Sequence, residues 1–183
     1  MTAPRRRPRR TVADPPGLDL KGTRQAAFDL LARKSWSRRD LVQRLGQRGA
    51  PADVARAVVD DLGARGYLDD EGFARWWAQA RAQGRRIGSR RLRQELLAKG
   101  IARDLVDAAV AAAFSETPEI ERAMQAGRRR LAALARADPG RLSSRLGAYL
   151  LRRGYPPSVA SRVVKALVGG AEGSPDAFDE GVV

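Results

Sequence analysis

The sequence predicts an all-α protein built from three tandem three-helix repeats in an elongated, curved array, and three observations carry that expectation. Ala, Leu, Arg, Gln and Glu dominate its middle, all strong helix formers, while β-branched and aromatic runs of strand type are nearly absent. With 43% apolar but only 5% aromatic residues, a core must be assembled mainly from Leu, Val and Ala, for which helices are the natural frame. Finally, a basic residue followed by glycine recurs at intervals of a little over fifty residues, as Arg48-Gly49, Lys99-Gly100 and Arg153-Gly154.

Ahead of each of these glycines stand leucines eight and four positions back: Leu41 and Leu45, Leu92 and Leu96, Leu146 and Leu150. Such spacing is one helical face repeated three times. After each glycine a second apolar stripe follows: Val54, Val58 and Leu62; Leu105 and Ala109; Val159, Val163 and Leu167. Glycine suits the left-handed position that ends one helix, and the prolines of Ala50-Pro51 and Tyr155-Pro156 suit the start of the next.

A further helix precedes each pair. In the first repeat it is expected from about Thr23 to Lys34, with Ala27, Leu30 and Leu31 inward, and Ser37 with Asp40 reads as a capping box opening the second helix. In the second repeat Asp69, Asp70 and Glu71 place acids at a helix start, where the macrodipole favours them, and Phe73, Trp77 and Ala80 are expected on one face. In the third, Thr117-Pro118 and Asp138-Pro139 are expected as cap-then-proline starts. The boundaries follow: a basic N-terminal tail over 1–19, repeats over 20–67, 68–116 and 117–168, and an acidic tail over 169–183. Both tails are expected to be disordered. A unit of this size buries little surface alone, so stacking of neighbours is expected.

Composition also narrows function. The formal net charge is +14, carried mostly by arginine, and such an excess implies a polyanionic partner: nucleic acid, an acidic protein groove or a membrane surface. Membrane insertion is disfavoured, since no apolar run approaches the roughly 20 residues needed to span a bilayer. The Arg-rich opening lacks the apolar stretch of a secretory signal, so a cytoplasmic location is expected. Neither cysteine nor histidine occurs. Thiol and Ser-His-Asp chemistry, structural zinc and the HExxH metal site are thereby excluded, and no phosphate-binding GxxxxGK[ST] loop is present. No catalytic residue, metal site or cofactor is assigned.

Three features remain as candidates for binding. Arg85, Arg86, Arg90 and Arg91 surround a Gly-Ser helix start, with Arg93 one turn in; these forks suit phosphates or carboxylates, against the alternative of a solvated face. The five charges show no interleaved acid along that segment. Lys99, at the end of the same helix, is grouped with them. Trp76 and Trp77 point about 100° apart on a helix, so both can hardly be core. Trp77 fits the Phe73 stripe, leaving Trp76 as either an exposed aromatic for a partner or a base, or a rim residue against the neighbouring repeat. The acids of Gly66-Tyr67-Leu68-Asp69-Asp70-Glu71 read as helix capping, with Tyr67 and Leu68 as an apolar staple. Arg128, Arg129 and Arg130 face several directions and form no single surface.

At this level the chain resembles the RecX family of recombinase regulators. The stretch AFDLLARKSWSRRDLVQRLGQRG is similar to that family's first unit, and GYLDDEGFARWWAQARAQGRRIGSRRLRQELLAKGI to its junction and second unit. LLRRGYPPSVASRVVKAL is similar to part of the more divergent third unit. Gly72 and Trp76 depart from the pattern, which more often has polar residues there. A non-catalytic monomer is expected from the residues, and the resemblance implies a role in recombinational repair and the SOS response. It implies binding in the groove of a RecA–DNA filament, limiting ATP hydrolysis, strand exchange and growth. The basic side chains of the second unit, Arg85, Arg86, Arg90, Arg91 and Arg93, would then face the partner. The competing reading is a helical protein acting directly on single- or double-stranded DNA. Against base readout, the third helices of the first two repeats are poor in Asn, Gln and Arg donors.

Overall fold

The computed structural model describes residues 17–169, and all regular structure among them is helical. The chain divides between Leu68 and Asp69 into two compact units. The first holds α1 (Leu20–Leu31), α2 (Arg38–Gly46) and α3 (Ala52–Ala64). The second holds two three-helix repeats: α4 (Asp70–Gly84), α5 (Ser89–Ala98) and α6 (Arg103–Ala113), then α7 (Glu119–Ala137), α8 (Leu142–Arg152) and α9 (Pro157–Val168). A short 3-10 turn, Pro139–Arg141, leads into α8.

The leucine pairs define the cores. Leu41, Leu45, Leu92, Leu96, Leu146 and Leu150 are all completely buried, one pair in each repeat. Every repeat has its own apolar cluster, so the small size of a unit is met by a dense Ala-Leu-Val core within each bundle. In α4 the buried face is Phe73, Ala74, Ala78 and Ala82, while Ala80 is exposed and Trp77 only half-buried. The expected stripe was thus rotated: the alanines at four-residue spacing form the seam because they let α4 approach α6 closely.

The glycine terminators follow one pattern. At Gly49, Gly100 and Gly154, with φ of 92°, 78° and 85°, the next residue's amide returns to the buried leucine carbonyl five positions back: Ala50 to Leu45, Ile101 to Leu96, Tyr155 to Leu150. Each is a Schellman motif closed by an apolar residue. Gly66, with φ of 77°, makes a fourth, Tyr67 returning to Leu62, so this stretch ends α3 as well as opening α4.

Several caps differ from expectation. Helix α1 begins earlier than Thr23, because the Asp19 carboxylate accepts from the Gly22 amide at 2.7 Å. The Leu18 amide bonds the Gly49 carbonyl at 3.0 Å and its side chain packs on the first core, so residues 18 and 19 belong to the first bundle. The remainder of the expected N-terminal tail, and the C-terminal tail beyond Gly169, lie outside the described residues. Ser37 caps α2 as expected, accepting from the Asp40 amide. Thr117 caps nothing: Pro118 holds the cap position of α7, and the Asp138 side chain makes no capping bond at the 3-10 turn.

Candidate functional site

The basic segment of the second repeat lies on the link between α4 and α5, and the third repeat holds that link by its backbone. Buried Ile87 anchors it in the α4–α6 core. The Gly88 amide donates to the Arg153 carbonyl at 2.9 Å and the Arg90 amide to the Gly154 carbonyl at 3.1 Å. A Cβ at Gly88 would lie 2.4 Å from the Gly154 oxygen, so glycine is required by this close approach. From α7, Glu119 accepts the Ser89 amide at 2.6 Å. The Arg153 guanidinium donates to the Arg85 carbonyl, and the Tyr155 hydroxyl donates to the Arg86 carbonyl at 2.9 Å. Burial pushes the Tyr155 phenol above its ordinary range, so that hydroxyl remains a donor.

Arg86 itself has φ of 48°, the one non-glycine left-handed residue among those described. Such a conformation costs roughly 1 kcal/mol or more and persists only where neighbours hold it. Here the neighbours are named: the Tyr155 hydroxyl on its carbonyl and the Gly88 contacts two residues on.

The candidate arginines separate into groups. Arg85, Arg86 and Arg91 line a cleft of about 470 Å³ together with Gly84, Ile87, Tyr149, Arg152 and Arg153. No carboxylate lines it. Arg153 lies over the Tyr149 ring, 5.1 Å from its centroid. Arg90 is exposed but outside that cleft, and Arg93 turns to Asp107 of α6, at 3.0 Å. Arg91 reaches Glu95 at 3.2 Å on its own helix. Acids therefore do meet part of the charge run, one from the next helix, which no scan along the segment itself could reveal.

Lys99 and Trp76 belong elsewhere. The Lys99 ammonium sits 4.2 Å from the centroid of Trp77, which stacks on Phe73 at 5.7 Å. Arg81 lies 4.5 Å from the same ring, and the indole nitrogen of Trp77 donates to Glu95 at 3.3 Å. Glu95 thus gathers Trp77, Arg81 and Arg91. Trp76, on the edge of this aromatic cluster 6.2 Å from both rings, is 58% exposed. Lys99 is consequently grouped with an aromatic–cation surface, not with the arginine cleft.

Of the acids at the α4 start, Asp69 is the cap, accepting the Gly72 amide at 2.9 Å, while Glu71 pairs with Arg75 one turn along. Leu68 is buried, whereas Tyr67 is exposed and meets Phe28 edge-on at 5.4 Å. Arg128, Arg129 and Arg130 are all exposed along α7. Sequence reasoning missed Tyr149, Arg152 and Arg153 as part of the cleft. Their only signal in the sequence is the Arg153-Gly154 turn, whose pattern marks a helix end and not a cleft.

The fold and this site define an all-helical array of three-helix repeats whose chemistry is that of guanidinium and aromatic contacts, and among the described residues no helix is long and apolar enough to cross a membrane. Residues 69–110 match the family model for the second three-helix domain of RecX, and residues 118–164 that for its third three-helix domain. The chain is 38% identical over 144 residues to the regulatory protein RecX of Mycobacterium avium (strain 104), covering 78% of this chain and 83% of that protein. It is 35% identical over 162 residues to the regulatory protein RecX of Mycobacterium tuberculosis (strain ATCC 25618 / H37Rv), covering 85% and 93%. The crystal structure of RecX from Lactobacillus salivarius shares the fold with a TM-score of 0.67 at 15% identity, over 81% of this chain and 96% of that one. A second crystal structure, of a regulatory protein RecX, gives a TM-score of 0.71 at 19% identity, over 79% of this chain and 72% of that one. The chain belongs to the RecX family of regulatory proteins.

Proposed function

We propose that this protein is a non-catalytic regulator of the RecA recombinase, acting as a cytoplasmic monomer in recombinational repair and the SOS response. It lies in the groove of the RecA–DNA filament and limits ATP hydrolysis, strand exchange and filament growth. The observation that carries this reading is the family match across both repeats of the second unit, the same repeats that present the arginine-rich link. On this reading Arg85, Arg86, Arg90, Arg91 and Arg93 face the partner, with Lys99 and Trp76 offering a second contact at the aromatic cluster.

The test is the DNA-dependent ATP hydrolysis of a bacterial recombinase. The wild-type chain, with no ATPase of its own, is expected to lower it, and a variant carrying Glu at 90, 91 and 93 is expected to lose that effect. Arg91 and Arg93 have side chains 50% and 43% exposed, so losing their ion pairs and setting Glu against Glu95 and Asp107 costs at most about 1 kcal/mol for each change and the variant should still fold. A wild type without effect on the recombinase would end the regulator reading. Full inhibition by the triple variant would remove these three residues from the partner face.

A further inference from the structure

We propose that the cleft lined by Arg85, Arg86, Arg91, Arg152 and Arg153 binds the phosphodiester backbone of single-stranded DNA. Five arginines from two repeats line one cleft with no carboxylate among its lining residues, Arg91 alone of the five being paired with an acid, Glu95, outside that lining. Like charges so gathered repel one another, and an anion with several regularly spaced charges relieves this better than a single carboxylate does. The side chains of Arg85, Arg86 and Arg152 have no hydrogen bond or ion pair among the described residues, which leaves their donors available.

The backbone supplies an independent observation. Arg86 is held at φ of 48° by contacts from the third repeat, and this strained conformation sits in the cleft wall. Gly88 and Gly154 fix the same wall, since neither accepts a Cβ without collision. The arginines of the link are therefore placed against Arg152 and Arg153 by a close backbone contact. Nucleic acid is favoured over an acidic peptide because the guanidinium planes of Arg85, Arg86 and Arg152 offer stacking faces as well as charge; Tyr149, half-buried against the third core with Arg153 over its ring, braces Arg153 beside them. Unpaired bases stack on aromatic rings and guanidinium planes, which paired bases cannot do. The assignment rests on the reading of this protein as one that works at a DNA-bound partner, but it names residues of the third repeat that this reading did not include.

The experiment uses the full chain and a fluorescent oligothymidylate, with no recombinase present. Arg85→Glu/Arg152→Glu is compared with Arg128→Glu/Arg129→Glu, which makes the same charge change on exposed residues of α7 outside the cleft. The cleft variant should bind at least about 10-fold more weakly than the α7 variant, with the salt slope shallower by about 1.4, some 0.7 for each lost phosphate contact. Unchanged melting temperatures keep the comparison valid, and if the cleft double variant unfolds, Arg85→Gln and Arg152→Gln are measured singly. Equal losses in the two variants would overturn the proposal by showing a response to net charge alone. Tighter cleft-dependent binding of a duplex, or displacement of the oligomer by polyglutamate as effectively as by polythymidylate, would overturn it as well. Because recombinase is absent, failure here is distinct from failure to inhibit the filament, which is read in the ATPase assay.

Discussion

The Tyr155 hydroxyl donates to the Arg86 carbonyl at 2.9 Å, so the turn that ends the second helix of the third repeat holds the strained residue of the α4–α5 link. Tyr155 is completely buried, as its place closing a Schellman motif requires. Tyr155→Phe keeps the ring and leaves that carbonyl without its donor, at a cost of about 1–2 kcal/mol. Thermal unfolding should show a drop of several degrees.

The same phenol makes stability depend on alkaline pH. Burial raises its pKa in the folded chain above the ordinary value near 10 that it has when unfolded. The unfolded state therefore loses its proton first. This contribution is fully present below about pH 10 and is lost as pH rises further. Denaturant midpoints measured from neutral pH upward should fall above pH 10 in the wild type and fall less steeply in Tyr155→Phe.

Two left-handed glycines with similar φ should respond differently to alanine. At Gly49 a Cβ meets nothing within 4 Å, so Gly49→Ala costs only the conformational term, about 1–2 kcal/mol. At Gly154 the Cβ would lie 2.2 Å from the Cβ of Arg91 and 2.6 Å from its amide nitrogen, so the link must move as well. Gly154→Ala should therefore be clearly the more destabilising. Gly100→Val is expected to exceed about 1 kcal/mol, since a β-branched residue is poorly accommodated at its φ of 78°. Equal melting temperatures for Gly49→Ala and Gly154→Ala would contradict the close docking of link and turn.

Arg122 is buried and donates to the Thr117 and Ala113 carbonyls, both at 3.3 Å, satisfying the end of α6 from within α7. Arg122→Met keeps much of the volume but removes a charged donor from two acceptors. A loss of about 2 kcal/mol is expected, read from the denaturant midpoint.

Truncation should distinguish Leu18 and Asp19 from the residues before them. A chain beginning at 17 keeps the Leu18 amide bond and the Asp19 cap. One beginning at 20 loses both and should melt lower by the equivalent of at least about 1 kcal/mol, the usual worth of the cap alone. Circular dichroism should stay helix-dominated in both.

The threefold repeat is legible from the residues alone. Leucine pairs, terminating glycines and the missing strand pattern are local signals, because helix periodicity and the left-handed turn are properties of a few consecutive residues. On that basis the helices, their buried leucines and the family resemblance were all legible. Tertiary structure decided what depends on which elements meet. Ala80 was misplaced because periodicity alone cannot fix a helix rotation to within one residue, and α6 selected the Ala74, Ala78 and Ala82 seam. Arg93 and Asp107 are fourteen residues apart in sequence, and Arg86 and Tyr155 sixty-nine. No local pattern encodes such pairings. The run of arginines was visible, but its division into a cleft shared with Arg152 and Arg153, an ion pair on α6 and a freely exposed Arg90 follows from the docking of Gly88 on Gly154, a contact between two backbones that side-chain composition does not record.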